Sequence, residues 1–232
     1  MSETTTPVRV WDLPTRLFHW LLAASVVGLV LTGQIGGNWM EWHFRLGLFA
    51  GALLLFRLLW GVVGGRWSRF ASFVRTPATV LRYLRGQTTP DEHLDVGHNP
   101  LGALSVLALL GGLSVQVLTG LVADDEIANV GPLNHLVSGA QASLATAWHT
   151  ELGKLLLIVL VLLHVGAIVF YLHARKVNLV RPMLHGDKPL PPDTPASRDG
   201  WPQRLLALAL FAACLALMGW VQALGAAAMP SF

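Results

Sequence analysis

The sequence predicts an all-α integral membrane protein: a four-helix transmembrane bundle, a fifth transmembrane helix at the C-terminal end, and a cytoplasmic N-terminus. Three observations lead there. Of 232 residues, 53% are hydrophobic and only 12% charged, with a mean hydropathy of +0.56, whereas a soluble domain carries about 25% charged residues. Five apolar runs approach or exceed the roughly 20 residues a helix needs to cross a bilayer. Lys and Arg crowd into alternate connections, as they do on the cytoplasmic side of multi-pass proteins. Membrane strands are not expected, because barrel strands alternate apolar and polar residues and these runs are apolar throughout.

The N-terminal stretch MSETTTPVRVWDLPTR is too polar for a signal peptide and no cleavage site follows it, so the first span is expected to be retained. That span is Leu17 to Gly33. The second, His43 to Gly65, carries Gly47 and Gly51 in the G-x-x-x-G spacing of closely packed helices. Arg66, Arg69, Arg75, Arg82 and Arg85 follow it, mixed with Phe70, Phe73, Val80, Leu81 and Leu84. Such a basic amphipathic stretch suits an anionic inner leaflet, and a protein-docking surface is the other reading. The third span, Leu101 to Ala123, leads into a connection without Lys or Arg that begins Asp124, Asp125, Glu126 and should face outward. The fourth span, Leu152 to His173, returns to a basic connection with Arg175, Lys176, Arg181, Lys188 and Arg198. Within it HGDKPLPPDTPASRDGWP, from His185 to Pro202, reads as an extended linker. The fifth span, Leu205 to Met229, has no charged residue after Arg204 and reads as an anchor or as a helix touching a partner subunit. The chain thus divides into a membrane domain over residues 1–188, a Pro-rich cytoplasmic linker over 189–203, and a fifth helix with a short outer tail over 204–232. The net charge of +3 and the isoelectric point near 9.5 describe this topology, and nucleic acid is not an expected partner.

Motifs exclude several chemistries. Cys214 is the only cysteine, so neither an internal disulfide nor a C-x-x-C-H site for covalent haem attachment is possible. Glycine-rich phosphate loops, H-E-x-x-H and G-x-S-x-G are absent.

Histidines carry the candidate chemistry. An ionisable side chain inside a span costs on the order of 2.5–3.5 kcal/mol on insertion scales, so those that persist usually face the protein interior and have a task. His19, His43, His149 and His164 lie in or at the ends of spans. With the first helix running outward and the second and fourth running inward, His43 and His149 share an outer level. His19 and His164 share an inner one, 15 residues or ~22 Å deeper along the fourth helix. Each level takes one imidazole from each of two helices, and facing imidazoles in a low-dielectric bundle are the arrangement that ligates haem iron from both sides. Two non-covalent b haems are therefore the expected cofactors. Gly47 and Gly153, each one turn after an outer histidine, would leave room for a porphyrin, and plain packing explains Gly47 equally well. Arg57 falls at the inner level and Arg16 one turn before His19, where either could pair with a haem propionate; snorkelling explains Arg57 as well. A lone membrane histidine is more often a hydrogen-bonding group than a ligand, and it is the match in depth that argues otherwise. His93, His98, His135, His173 and His185 are expected to be solvated. For His98, in GHNPLG, three readings stand: a helix cap, a contact to a haem edge, or neither.

RLFHW from Arg16, HFRLG from His43, RLLWGVVG from Arg57, GHNPLG from Gly97 and the His149–His164 helix ending in NLVRPMLHGDK resemble the bacterial di-haem cytochrome b family. That family includes the b-type cytochrome subunit of nickel-iron hydrogenases and stand-alone relatives. The resemblance runs from about Val8 to Lys188. It implies that His19 with His164, and His43 with His149, bind two b haems, and that electrons pass between quinone and a redox protein such as a hydrogenase or a cytochrome c. It also implies a bacterial inner-membrane location and a role as an electron-transfer subunit of a respiratory oxidoreductase. One departure is visible: the family pattern sets the paired histidines of the fourth helix fourteen positions apart and in this chain they are fifteen positions apart, an excess that a π-bulge would absorb. Two other classes remain. A histidine-based proton or metal transporter would need acidic partners, for which Glu151 is the one candidate, and an inert anchor subunit leaves the matched depths unexplained.

Overall fold

The computed structural model describes residues 5–228. Five helices within them are long and apolar enough to cross a membrane: Leu13–Ile35, Gly37–Val63, Pro100–Val122, Gly139–His173 and Trp201–Ala228. They are called the first to fifth helices below. The expected end of the fifth run, Met229, and the tail beyond it lie outside the described residues. By contact the chain forms two compact units, each assembled from three separate stretches. One contains Met1–His19, Arg57–Ala108 and Leu162–Leu208; the other contains Trp20–Phe56, Leu109–Val161 and Ala209–Phe232.

In the first unit the chain is organised around Asp12, which is fully buried. Its carboxylate caps the first helix by accepting from the Thr15 amide at 2.8 Å. It also accepts from the Trp60 indole at 3.0 Å, the Gly65 amide at 3.2 Å and the Ser68 hydroxyl at 2.6 Å. Gly65 has to be glycine, since a Cβ there would lie 2.2 Å from the Asp12 oxygen. One carboxylate thus ties the start of the first helix to the end of the second and the turn after it. The third helix opens on Asn99, whose Oδ1 accepts from the Gly102 amide at 2.7 Å while its Nδ2 donates to the Tyr171 hydroxyl at 2.7 Å. Capping is therefore the work of Asn99, and the cap reading of His98 is set aside.

Two features add to the helices. Thr6–Arg9 (β1) and Asp187–Leu190 (β2) pair as a two-stranded antiparallel ribbon, in the register Thr6 with Leu190 and Arg9 with Asp187. Pro7 faces Pro189, a pairing an edge strand tolerates because neither position donates to a neighbour. The ribbon adjoins a small core of Val10, Trp11, Trp67 and Val96, joined by Met183 and Leu190. The Pro-rich stretch after it carries neither helix nor strand from Pro191 to Gly200, and it is held fast. The Ser197 hydroxyl donates to the Val10 carbonyl at 2.8 Å, and the Trp67 indole donates to the Pro195 carbonyl at 2.8 Å. Asp199 pairs with Arg9 at 3.0 Å and Arg204 at 3.2 Å and accepts from the Leu13 amide at 3.1 Å. Apart from Arg204, five residues on, these partners lie more than a hundred residues away, so no local pattern announces them. The basic stretch carries a short helix, Pro77–Leu84, capped by Thr76, with Arg82 paired to Glu92 at 2.9 Å.

The fourth helix is longer than its apolar run. It begins at Gly139 because Ser138 and Gln141 form a capping box, and it passes through a π turn over Trp148–Leu152 before regular helix resumes at Gly153. The wide turn takes up one residue just beside His149, as the fifteen-residue spacing requires. In the second unit the fifth helix packs on the second through Phe211, whose ring lies 6.0 Å from that of Phe49 and 5.8 Å from that of Phe56.

Replacing Asp12 by Ala removes the acceptor of four donors at once. At about 1–3 kcal/mol for each buried donor left unmet, the loss is expected to amount to several kcal/mol, read as a markedly lower unfolding temperature of the purified protein in detergent. An unchanged melt would show that the carboxylate does not organise this unit.

Candidate functional site

Each unit contains one pair of imidazoles. In the first unit the ring centroids of His19 and His164 lie 6.4 Å apart, with 52° between the ring planes. In the second, those of His43 and His149 lie 6.0 Å apart at 83°. The four histidines singled out by depth are thus brought together in the two expected couples. A metal–imidazole bond of about 2.0 Å on each side, plus the radius of each ring, sets the centroids of two axial imidazoles roughly 6 Å apart. Both pairs meet that spacing. Among the described residues no group of three or more His, Cys, Asp or Glu side chains is placed to hold a metal ion. Histidines in twos suit an iron whose remaining positions are filled by a macrocycle better than an ion that needs three or four protein ligands.

The candidate cations lie in the same unit as the first pair. Arg57 is 3% exposed, which rules out a guanidinium reaching for water. It lies over the Phe70 ring at 4.8 Å and the Phe73 ring at 6.0 Å, at the contact distance of a cation–π pair. Gly61, one turn after Arg57, allows this: a Cβ there would lie 2.0 Å from the Phe70 ring. Nη1 of Arg57 is buried without a hydrogen-bond partner. Arg16 donates through Nη1 to the Leu184 carbonyl, while its Nε is buried and unpartnered.

His98 belongs to the same surroundings and is not solvated. Its ring sits 4.6 Å from Trp11 and 4.8 Å from Phe73, and its Nδ1 is buried without a partner. Loss of water, then the Arg57 charge and the two histidines His164 and His19, push its pKa down to about 3, so the ring is neutral. Three nitrogen groups with unmet hydrogen-bonding capacity in one unit suit the carboxylates of a bound anionic ligand. His98 is the member of this set that sequence reasoning left open. The usable signal was its place in GHNPLG, directly before a helix cap.

The second pair is pinned by backbone. His43 Nδ1 donates to the Leu29 carbonyl at 3.0 Å, and His149 Nδ1 donates to the Gln116 carbonyl at 2.8 Å. A carbonyl can only accept, so in both rings the proton sits on Nδ1 and the Nε2 lone pair is left for a ligand. The two glycines expected to make room for a flat ring differ. At Gly47 a Cβ would meet nothing nearer than Leu29 Cδ2 at 4.0 Å, whereas at Gly153 it would lie 2.3 Å from Gln116 Oε1 and 2.6 Å from the Trp148 indole. Gly153 is therefore a packing residue at the π turn. There the Gln116 amide donates to the His149 carbonyl at 2.6 Å, meeting a backbone group at the wide turn. Sequence reasoning missed Gln116; a lone amide in an otherwise apolar span was the available sign.

Residues 10–186 match the family model described as prokaryotic cytochrome b561. Among curated relatives, the probable Ni/Fe-hydrogenase B-type cytochrome subunit of Azotobacter chroococcum mcd 1 is 28% identical over 229 residues, with 82% of this chain and 92% of the relative covered. The protein of the same description from Cupriavidus necator is 28% identical, with 68% and 77% covered. The probable Ni/Fe-hydrogenase 1 B-type cytochrome subunit of Escherichia coli K12 is 25% identical, with 71% and 83% covered. No solved structure matches the chain.

Replacing Gln116 by Leu keeps the bulk and strands the His149 carbonyl. The expected cost is about 1–3 kcal/mol, seen as a lower unfolding temperature; a Leu variant as stable as wild type would show that the π turn needs no such support.

Proposed function

Because the chain belongs to the prokaryotic cytochrome b561 family, with a membrane haem-b electron-transfer role, we propose a finer reading. Two b haems, each held between two histidines, carry electrons across the membrane between the quinone pool and a redox protein partner. The observation that supports this most directly is the presence of two imidazole couples at 6.4 and 6.0 Å. Haem iron supplies a one-electron couple when bound. His19 and His164 would hold one haem, and His43 and His149 the other. With two protein nitrogens on each iron, oxygen would find no coordination site, which would favour outer-sphere transfer over oxygen chemistry at the metal. Arg57 and Arg16 would face the propionates of the first haem, with His98 as a third, neutral hydrogen-bonding group. Relatives named as hydrogenase cytochrome subunits make a hydrogenase the partner of choice.

In this reading the basic connections lie on the cytoplasmic side together with the N-terminus, and the membrane is the bacterial inner membrane. Residues 1–188 form the haem domain in this reading, residues 189–203 the segment that straps it, and 204–232 the additional helix. A proton or metal transporter is disfavoured because Glu151 is exposed and forms no group with the histidines. An inert anchor would have no use for two imidazoles whose Nδ1 protons are pinned and whose Nε2 atoms are left available.

The decisive measurement is haem content by pyridine haemochrome with a reduced-minus-oxidised spectrum. Two haems per chain and a b-type α-band are expected. His19→Ala and His164→Ala should each lose one haem, and His43→Ala and His149→Ala the other; colourless protein, or one haem per chain, would overturn the reading. A redox titration should resolve two midpoints. Replacing Arg57 by Gln removes a cation that favours the reduced, more negative state, so the midpoint of the His19–His164 haem should fall by tens of millivolts while the other stays in place.

A further inference from the structure

One tetrapeptide occurs twice in the chain and nowhere else: VLTG, at Val30–Gly33 near the end of the first helix and at Val117–Gly120 near the end of the third. Both copies lie in the second unit. Each sits against one member of that unit's imidazole pair, and the local geometry is the same in detail. A Cβ at Gly33 would lie 3.1 Å from His43 Cε1 and 3.2 Å from its Nδ1. At Gly120 it would lie 2.8 Å from His149 Cε1 and 3.1 Å from its Nδ1. A side chain at position 120 would force the ring to shift, and one at position 33 would press on it more tightly than nearly all Cβ contacts do. Four residues before each glycine is the carbonyl that receives the ring proton, that of Leu29 in one copy and that of Gln116 in the other.

The threonines repeat as well. Thr32 Oγ1 donates back to the Gly28 carbonyl at 2.7 Å and lies 3.3 Å from His43 Nδ1. Thr119 Oγ1 donates back to the Val115 carbonyl at 2.8 Å and lies 3.4 Å from His149 Nδ1. With its own proton committed to the helix, each hydroxyl turns a lone pair toward the ring N–H. That proton is then shared between the carbonyl and the hydroxyl, which fixes the tautomer and the rotation of the ring and raises the basicity of Nε2.

We propose that Thr32 with Gly33 and Thr119 with Gly120 are matched positioning pairs for the two axial histidines of a single haem, setting the orientation and electron donation of both imidazoles in the same way. The proposal rests on His43 and His149 being haem ligands. Its distinctive consequence is that variants 87 residues apart in sequence, on different helices, should act on the same one of two haems.

The test uses the purified full chain carrying both haems, with low-spin ferric EPR signals and midpoint potentials as readouts, and with His43→Ala to identify the haem in question. Gly33→Ala and Gly120→Ala should each displace the signal and the midpoint of the haem that His43→Ala loses, and leave the other haem as in wild type. Gly112→Ala is the packing control: its Cβ would meet Leu157 Cδ2 at 3.0 Å and Leu160 Cδ1 at 3.5 Å and neither a histidine nor a residue of either VLTG copy, and it should leave both signals unchanged. If the glycine variants do not fold, the threonines decide. Thr32→Val and Thr119→Val should move the same haem, and Thr32→Ser and Thr119→Ser should restore it. The proposal is overturned, with the haem assignment intact, if His43→Ala removes one haem while the Gly and Thr variants leave both haems untouched or move different ones. If His43→Ala retains both haems, the ligand assignment itself fails and takes the proposal with it.

Discussion

A neutral imidazole in hydrocarbon has one proton to give away and one lone pair to offer, and an unmet proton there is costly. Once the proton on Nδ1 is given to a backbone carbonyl, the ring becomes a directed donor at Nε2. His43 and His149 are in that state, each bound to a carbonyl of the preceding helix. This arrangement needs a helix whose carbonyl can take a second partner, a neighbour without a Cβ, and a ligand-bearing helix turned to the correct angle. The glycines at 33 and 120 and the π turn at Trp148–Leu152 supply the last two.

In the other unit order comes from charge. The buried carboxylate of Asp12 gathers four donors and fixes where the first helix begins, and His19 lies two turns further along that helix. Arg57, held over Phe70 because Gly61 lets that ring approach, is kept from water with capacity to spare on its guanidinium. A buried cation with an unmet donor is costly in isolation, and it makes sense beside an anionic group. The strap from Pro191 to Gly200 reinforces the same unit through Asp199 and Ser197, so a stretch that looks like a spacer is part of the support.

Much of the candidate site was legible beforehand, and the failures are instructive. Depth could be read because each residue of a helix adds 1.5 Å, and depth alone paired His19 with His164 and His43 with His149. An excess of one residue pointed to a π turn, and a π turn is present. Gly153 was misjudged, since a glycine's purpose depends on what lies opposite, and opposite it are Gln116 and Trp148. The apolar run starts thirteen residues after the fourth helix does, because the Ser138–Gln141 capping pair, and not hydrophobicity, sets where that helix begins. The VLTG repeat stood in plain view but had no meaning until both copies were found against a histidine.

By itself the sequence determined five apolar helices and four membrane histidines in two levels, because transfer from water to lipid and rise along a helix accumulate residue by residue. The matched levels pointed to haem, and the resemblance added the quinone and the redox partner. Only the tertiary structure decided which carbonyl takes each ring proton, that Arg57 is sealed from water, that His98 stacks on Trp11 and Phe73, and that β1 finds β2. Those outcomes depend on distances of a few ångströms between segments far apart in the chain, and hydrogen bonds and van der Waals contacts vanish beyond that range.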